Sequence, residues 1–445
     1  MTAVAMALTA VGAQATLPIQ TLTTAQGARV YWVQSASLPM VDVQIDFDAG
    51  ERRDPVGQTG LAASVAAMTA KGVRAAAGKP ALDENQLGEA WADLGASFGG
   101  SASDDRMSFR LRSLTRPDIL QQAAQLAARQ LGHPAYRPAH WDEERKRTLA
   151  ALREARTRPA TVAQERFMAA LYPQHPYGRA TTEASLKAIQ ASDLQRFHRQ
   201  HLLPCRAKVS LVGDLNAEQA RTLVDQLLAD LPATSTCPAL PPVADPAPMA
   251  QAQEIRIPFE AAQAQVLIGQ PAIKRNDPDF FALFVGNHIL GGGGFVSRLT
   301  EQVREKRGLS YSVYSYFSPG LHPGPFIAGL QTRPDQAAQA LQLSKDIIRT
   351  FVAEGPTSEE LKAAQDNLIG GFALRLDSNK KLLDNLANIA WHELPLDYLD
   401  RWTQRVAAVT QQDIVQAFQR KLQPDRIDRK STRLNSSHVK RSRMP

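Results

Sequence analysis

The chain has 445 residues, 44% of them hydrophobic and 21% charged, and a formal charge of +7. That length exceeds one ordinary core and calls for two large domains or several smaller ones, and no run approaches the roughly 18 to 20 apolar residues that span a bilayer. Six basic residues against one aspartate lie in 427–445, so the positive charge sits mostly in a short polar tail and its footprint argues against a nucleic-acid partner.

In chain order, "MTAVAMALTAVGAQATLPIQ" opens with apolar residues and a small-x-small Ala13-Gln14-Ala15, which resembles the end of an export signal lacking its basic leader. Residues 1–15 are therefore expected to be a signal-peptide remnant, with a periplasmic location as its consequence. "VDVQIDFDAG" (41–50) alternates as a strand does. "FRLRSLTRPDILQQAAQLAARQL" (109–131) gives a strand, Thr-Arg-Pro-Asp and an amphipathic helix, and 136–171 keeps a 3.6-residue period. "DLQRFHRQHLLPCR" begins at Asp193 and leads into the apolar strand "AKVSLVGDL". Cys205 and Cys237 fit no zinc spacing and are expected to be two free thiols, although an oxidising compartment would allow them to pair.

From Leu231 to Ala252 the chain is rich in Pro and Ala without apolar periodicity, as a semi-rigid linker is. Beyond it the first pattern returns. "AQVLIGQPA" (264–272) reads as a strand and 356–392 as helix. "FIAGLQTRPDQAAQALQLSKDII" repeats the Thr-Arg-Pro-Asp unit, with Asp335 217 residues after Asp118, and "DIVQAFQRKLQPDR" places Asp413 220 residues after Asp193. Two matches in one order at nearly one offset predict a duplicated α+β domain: 16–230 and 253–426, joined by the 231–252 linker, each a largely antiparallel sheet packed with long helices. After "LQPDR" the sequence "IDRKSTRLN" is too polar for the strand expected there, so 427–445 is read as a foreign or disordered tail.

The nine histidines form no His-x-x-x-His zinc pair with an acidic base, and His198, His201 and His392 read as surface or helix-capping side chains. "GGGG" at 291–294 lacks the Gly-Lys-Ser/Thr of a phosphate loop, so close backbone packing is its reading. In "REKRGLSYSVYSYF" (304–317) the cations Arg304, Lys306 and Arg307 suit a helix C-terminus ending at Gly308, and the tyrosines suit a strand.

The stretch "ILGGGGFVSRLTEQVREKRGLSYSVYS" also resembles the second-domain signature of the insulinase/pitrilysin-type zinc metallopeptidases, and "HPYG" (His175 to Gly178) and "GLAASVAAMTAKGV" (Gly60 to Val73) resemble first-domain segments of that family. The resemblance implies two α+β units forming a half-shell, with two half-shells closing a chamber around extended peptides. The family's zinc pattern Gly-Leu-Ala-His-x-x-Glu-His-Met falls on Gly60 to Met68, where Ala63, Ala66 and Ala67 replace both histidines and the glutamate, and the third ligand falls on or near Ala151. The resemblance thus implies no metal and no cofactor in this chain, since nothing remains to hold zinc or to serve as a base. Arg304 and Tyr311 keep the spacing of the pair that active members place across the chamber from zinc, and are the candidate catalytic residues. The implied partners are a homologous catalytic subunit carrying His-x-x-Glu-His with its zinc, and a peptide substrate. A purely structural or peptide-binding shell is the alternative.

Overall fold

The computed structural model describes residues 18–76, 78–232, 234, 236–424 and 428–431. The first half contributes β1 (Gln20–Thr23), β2 (Arg29–Gln34), β3 (Met40–Phe47), β4 (Ser97–Ala102), β5 (Met107–Leu114) and β6 (Lys208–Gly213), in the sheet order β1-β2-β6-β3-β5-β4. The second contributes β7 (Glu254–Arg256), β8 (Ala264–Ile273), β9 (Ser312–Phe317), β10 (Gly324–Thr332) and β11 (Asp428–Ser431), in the order β7-β11-β8-β10-β9. Apart from β1 the two orders match position for position. In both, the pairing at one place is parallel, β2 with β6 and β7 with β11, and the rest are antiparallel. The chain is a duplicated α+β fold.

β11 corrects one expectation. Residues following Arg426 do supply the strand, with Arg429 opposite Ile268 on β8 and opposite Glu254 on β7. Polarity of side chains does not forbid it, because the facing backbone groups of β7 and β8 need partners whatever residues bring them. The expectations for 1–15 and for the tail at 432–445 lie outside the described residues.

The helices are α1 (Leu61–Met68), α2 (Glu84–Asp93), α3 (Pro117–Gly132), α4 (Pro138–Ala155), α5 (Pro159–Leu171), α6 (Glu183–Ala188), α7 (Ala191–His201) and α8 (Ala217–Leu228), then α9 (Phe280–Asn287), α10 (Ala337–Glu354), α11 (Ser358–Gly370), α12 (Asn379–His392), α13 (Trp402–Ala407) and α14 (Gln411–Lys421). The helical stretch 136–171 is interrupted at Arg158, which is extended ahead of Pro159, because the proline ring disfavours α geometry in the residue before it. The stretch 356–392 breaks before Ser378, whose hydroxyl caps α12.

Each central strand is buried on both faces, and this sets the relation of the halves. On β3, Val41, Val43, Ile45 and Phe47 enter the first core, while Asp42, Gln44 and Asp46 turn to the other face. That other face is covered by α12, which comes from the second half. On β8, Ala264, Val266 and Ile268 enter the second core, while Leu267 packs with Ile327 against Phe167 of α5, from the first half. A Cβ on Gly269 would stand 2.8 Å from the Phe167 ring, so glycine permits the helix to approach this closely. The halves therefore exchange helices reciprocally. The α12 side is polar: Arg106 donates to Asp46 and to the Ala387 carbonyl, and Arg110 pairs with Asp384.

The linker runs as an extended strap. Arg206 and Arg53 donate to the carbonyls of Pro238 and Pro241, and Asp245 pairs with Lys274 and His322 of the second half. Cys205 and Cys237 are joined by a disulfide with Cα atoms 5.9 Å apart. This corrects the expectation of free thiols: the strap returns to the first half and brings together two side chains 32 residues apart.

Candidate functional site

α1 is fixed at its start by the Asp54 carboxylate, which accepts the backbone N–H groups of Gly60 at 2.7 Å and Ala62 at 2.8 Å. Gly60 has φ +98, a left-handed value, and its missing Cβ leaves room for Thr181. Along the helix, Ala66 is buried against β4, where a Cβ on Gly100 would lie 3.3 Å from its carbonyl. Ala63 and Ala67 lie half-buried one turn apart. Ala151, on α4, is exposed. Four methyl groups occupy these positions, so the residues present do not fit a zinc ion. Among the described residues no group of three His, Cys, Asp or Glu side chains is arranged to hold a metal. The buried carboxylate of α4, Glu144, is engaged by Arg147 and Lys71.

The second-half segment is built differently. α9 continues into a π-helical turn at His288–Gly292, and a second π-helical turn, Thr300–Glu305, carries Arg304; such turns are frequent at functional sites. A Cβ on Gly291 would come within 2.6 Å of the Ser315 backbone, so the glycine run serves close packing of this turn on β9. Leu299 and Val303 are fully buried beneath it. Gly308, at φ +60, ends the turn, with its N–H bonded to the Arg304 carbonyl.

Arg304 and Tyr311 are brought together. The Arg304 guanidinium carbon lies 5.6 Å from the centre of the Tyr311 ring and 4.9 Å from that of Phe295, within cation–π range, and its Nε is 3.3 Å from the Glu305 carboxylate. Tyr311 is 78% exposed. β9, an edge strand, continues from it with Tyr314 and Tyr316 stacked at 5.9 Å on the partly exposed face of the sheet. Burial raises the pKa of both phenols.

Sequence reasoning read Tyr314 and Tyr316 only as strand formers and did not single out the acidic turns opposite them. Tyr316 lines one interdomain cavity of about 370 Å³ with Asp104, Tyr177 and His392, and Tyr314 lines another of about 600 Å³ with Asp104, Glu165 and Arg179. Burial, then Asp105, pushes the Asp104 carboxyl up to about 6. Burial, then Asp54 and Asp104, pushes Glu51 to about 7. Asp54 stands at about 6, since burial outweighs the N–H groups it accepts. The clue was present in "ERRD" and "SASDD", but nothing in one sequence tells which carboxylates lie close enough to feel one another's charge. His392 is lowered to about 3, by burial and then by Arg275.

The HPYG turn is a joint. His175 accepts the Tyr177 N–H, and the Tyr177 hydroxyl contacts both Asp105 and the His322 backbone. His198, expected at the surface or as a helix-capping side chain, is instead buried with Nε2 2.7 Å from the Leu131 carbonyl. The apolar face of α7 carries it into the core, where a backbone acceptor satisfies the ring.

Residues 29–185 match the insulinase family, peptidase family M16, and residues 188–368 match the peptidase M16 inactive domain. The crystal structure of a peptidase M16 inactive domain from Pseudomonas fluorescens superposes with a TM-score of 0.88 at 33% identity, over 95% of this chain and 99% of that one. A non-peptidase homolog of Helicobacter pylori is 26% identical over 83% of both chains. An uncharacterized zinc protease of Streptomyces coelicolor is 29% identical over 61% of this chain and 60% of its own length, and one of Mycobacterium tuberculosis is 27% identical over 51% and 52%, so the chain matches little more than half of these relatives. With the duplicated fold and the glycine-rich signature already described, this likeness shows that the chain belongs to the M16 (insulinase) peptidase family, with alanine at Ala63, Ala66 and Ala67 of its zinc motif.

Proposed function

We propose that the chain is the noncatalytic subunit of a heteromeric zinc metallopeptidase, completing a peptide chamber and lending Arg304 and Tyr311 to a partner's active site. The observation that carries this reading is the contrast between the two motifs: the metal positions are alanine, while Arg304 and Tyr311 remain paired and the phenol stays exposed. In the assembled chamber the Arg304 guanidinium donates to peptide carbonyls. The Tyr311 hydroxyl donates to the oxygen that gains charge as the scissile carbonyl is attacked, a contribution of about 3 to 4 kcal/mol for a preorganised donor. Tyr314 and Tyr316 extend the surface on which the peptide lies.

A periplasmic site of action agrees with the Cys205–Cys237 disulfide, which belongs to an oxidising compartment. No helix of the described residues is long and apolar enough to cross a membrane.

The experiment is mixing. The chain is purified alone, then combined with a homologous subunit carrying His-x-x-Glu-His, and hydrolysis of a quenched fluorescent peptide library is followed. Activity is expected only from the mixture. Peptide hydrolysis, or stoichiometric zinc, in the chain alone would end this reading. A stable complex whose activity ignores both Arg304→Ala and Tyr311→Phe would instead support a purely structural shell.

A further inference from the structure

A cavity of about 820 Å³ lies under the linker strap and shares no lining residue with the cavities between the halves. Its wall carries Arg52, Arg53, Arg199, Arg206 and His201, and among the described residues no acidic side chain lines it. The volume falls in the range of small-molecule sites. Three short elements converge here: the turn Glu51–Arg53, the C-terminal end of α7 and the turn Pro204–Arg206. The strap at 238–243 closes the fourth side, held at one end by the disulfide.

The cations are unequally compensated. Asp48 takes both Arg52 and Arg53, and Arg52 also reaches Asp105. Arg206 donates only to the Gln200 and Pro238 carbonyls, and its Nε is buried without a partner. Arg199 is exposed and makes no ion pair among the described residues. His201 Nδ1 is likewise buried and unpartnered. Burial holds its ring down at about 4, with the charges of Arg206 and Arg53 adding to the effect and Asp48 opposing it. Guanidinium forks match the paired oxygens of phosphates and carboxylates, and Leu203, Leu240 and Val243 give an apolar floor.

We propose that this pocket binds a small organic polyanion, a compact molecule bearing two or more phosphate or carboxylate groups, held by Arg199 and Arg206 with Arg53 beside them. The site acts independently of any peptide chamber, and its test needs no partner subunit.

Isothermal titration calorimetry of the full chain at 50 and 300 mM salt measures binding of tripolyphosphate, citrate and, as a neutral control, glycerol. Saturable one-to-one binding that weakens with salt is expected for at least one of the two anions and none for glycerol; their relative affinities tell phosphate from carboxylate ligands. Arg199→Gln and Arg206→Gln should each weaken binding tenfold or more, while Arg333→Gln, on a remote surface, should not. Arg206→Gln also removes contacts to the strap and can disturb folding. Arg199→Gln, whose side chain makes no such contacts, decides the matter if circular dichroism shows that the first variant does not fold. No saturable binding of either anion, wild-type affinity in Arg199→Gln, or an equal loss in Arg333→Gln would overturn the proposal.

Discussion

The Tyr177 hydroxyl donates a 2.6 Å hydrogen bond to Asp105 while accepting the backbone N–H of His322 at 3.3 Å, so one phenol of the first half is shared with a loop of the second. Asp105 is tied to the same loop again through the Leu321 N–H. Tyr177→Phe keeps the ring and removes the bridge. It should cost about 1.5 to 3 kcal/mol, the usual value for a hydrogen bond to a charged group. Urea denaturation measures this, and an unchanged midpoint would show that the bridge contributes nothing.

Tyr311 is 78% exposed, so its hydroxyl can be removed without loss of packing. Tyr311→Phe should leave stability within about 0.5 kcal/mol and association with the catalytic subunit intact, yet lower turnover of the assembled peptidase about 10²-fold. Steady-state kinetics on the reconstituted pair separate these quantities.

Glu51 ionises only near pH 7 in the folded chain, against an ordinary 4.5, because burial and the neighbouring Asp54 and Asp104 oppose its charge. The folded state therefore holds a proton that the unfolded state has released, and stability falls as the pH rises from 4.5 to 7. Glu51→Gln should abolish that part of the decline, making the variant more stable than the parent at pH 8, by at most about 3 kcal/mol at 1.36 kcal/mol for each unit. Thermal melts of both proteins at pH 5 and pH 8 give the comparison. Equal slopes would assign the decline to other groups.

The Cys205–Cys237 bond closes a loop of 32 residues. On the chain-entropy account, losing it costs about 3 to 4 kcal/mol. Cys205→Ser should melt well below the parent, and reducing agent should lower the parent to the same point without further effect on the variant.

β11 pairs with β8 through Asp428–Ser431, at the place where β6 pairs with β3 through the apolar Val209, Leu211 and Val212. Grafting Val-Ser-Leu-Val onto 428–431 should raise the melting temperature by a few degrees, since apolar side chains would then enter a sheet covered on both faces. Scanning calorimetry checks it, and a lower melting temperature would count against the strand's central place.

The duplication was legible because its markers are local: Thr-Arg-Pro-Asp recurs at Asp118 and Asp335, and turn residues keep their spacing wherever a unit is copied. So were the buried side at Leu299 and Val303 and the stop at Gly308, but the π-helical winding of Thr300–Glu305 that carries Arg304 was not. The helix exchange was not. Periodicity in 159–171 shows that one face is buried, but Phe167 carries no mark of which sheet it covers. For the same reason the Cys205–Cys237 pairing and the convergence of Glu51, Asp54 and Asp104 escaped a linear reading. Each is set by how two distant segments lie against one another, and that relation depends on tertiary packing.

The lending of α5 to the second sheet and α12 to the first makes each half a scaffold with a missing wall. Expressed singly, either would leave the outer face of its central strand bare, Leu267 and Ile327 in one and the Asp46 carboxylate in the other, and would be prone to aggregate. Cut within the linker and produced together, the pieces carry complementary grips for reassociation.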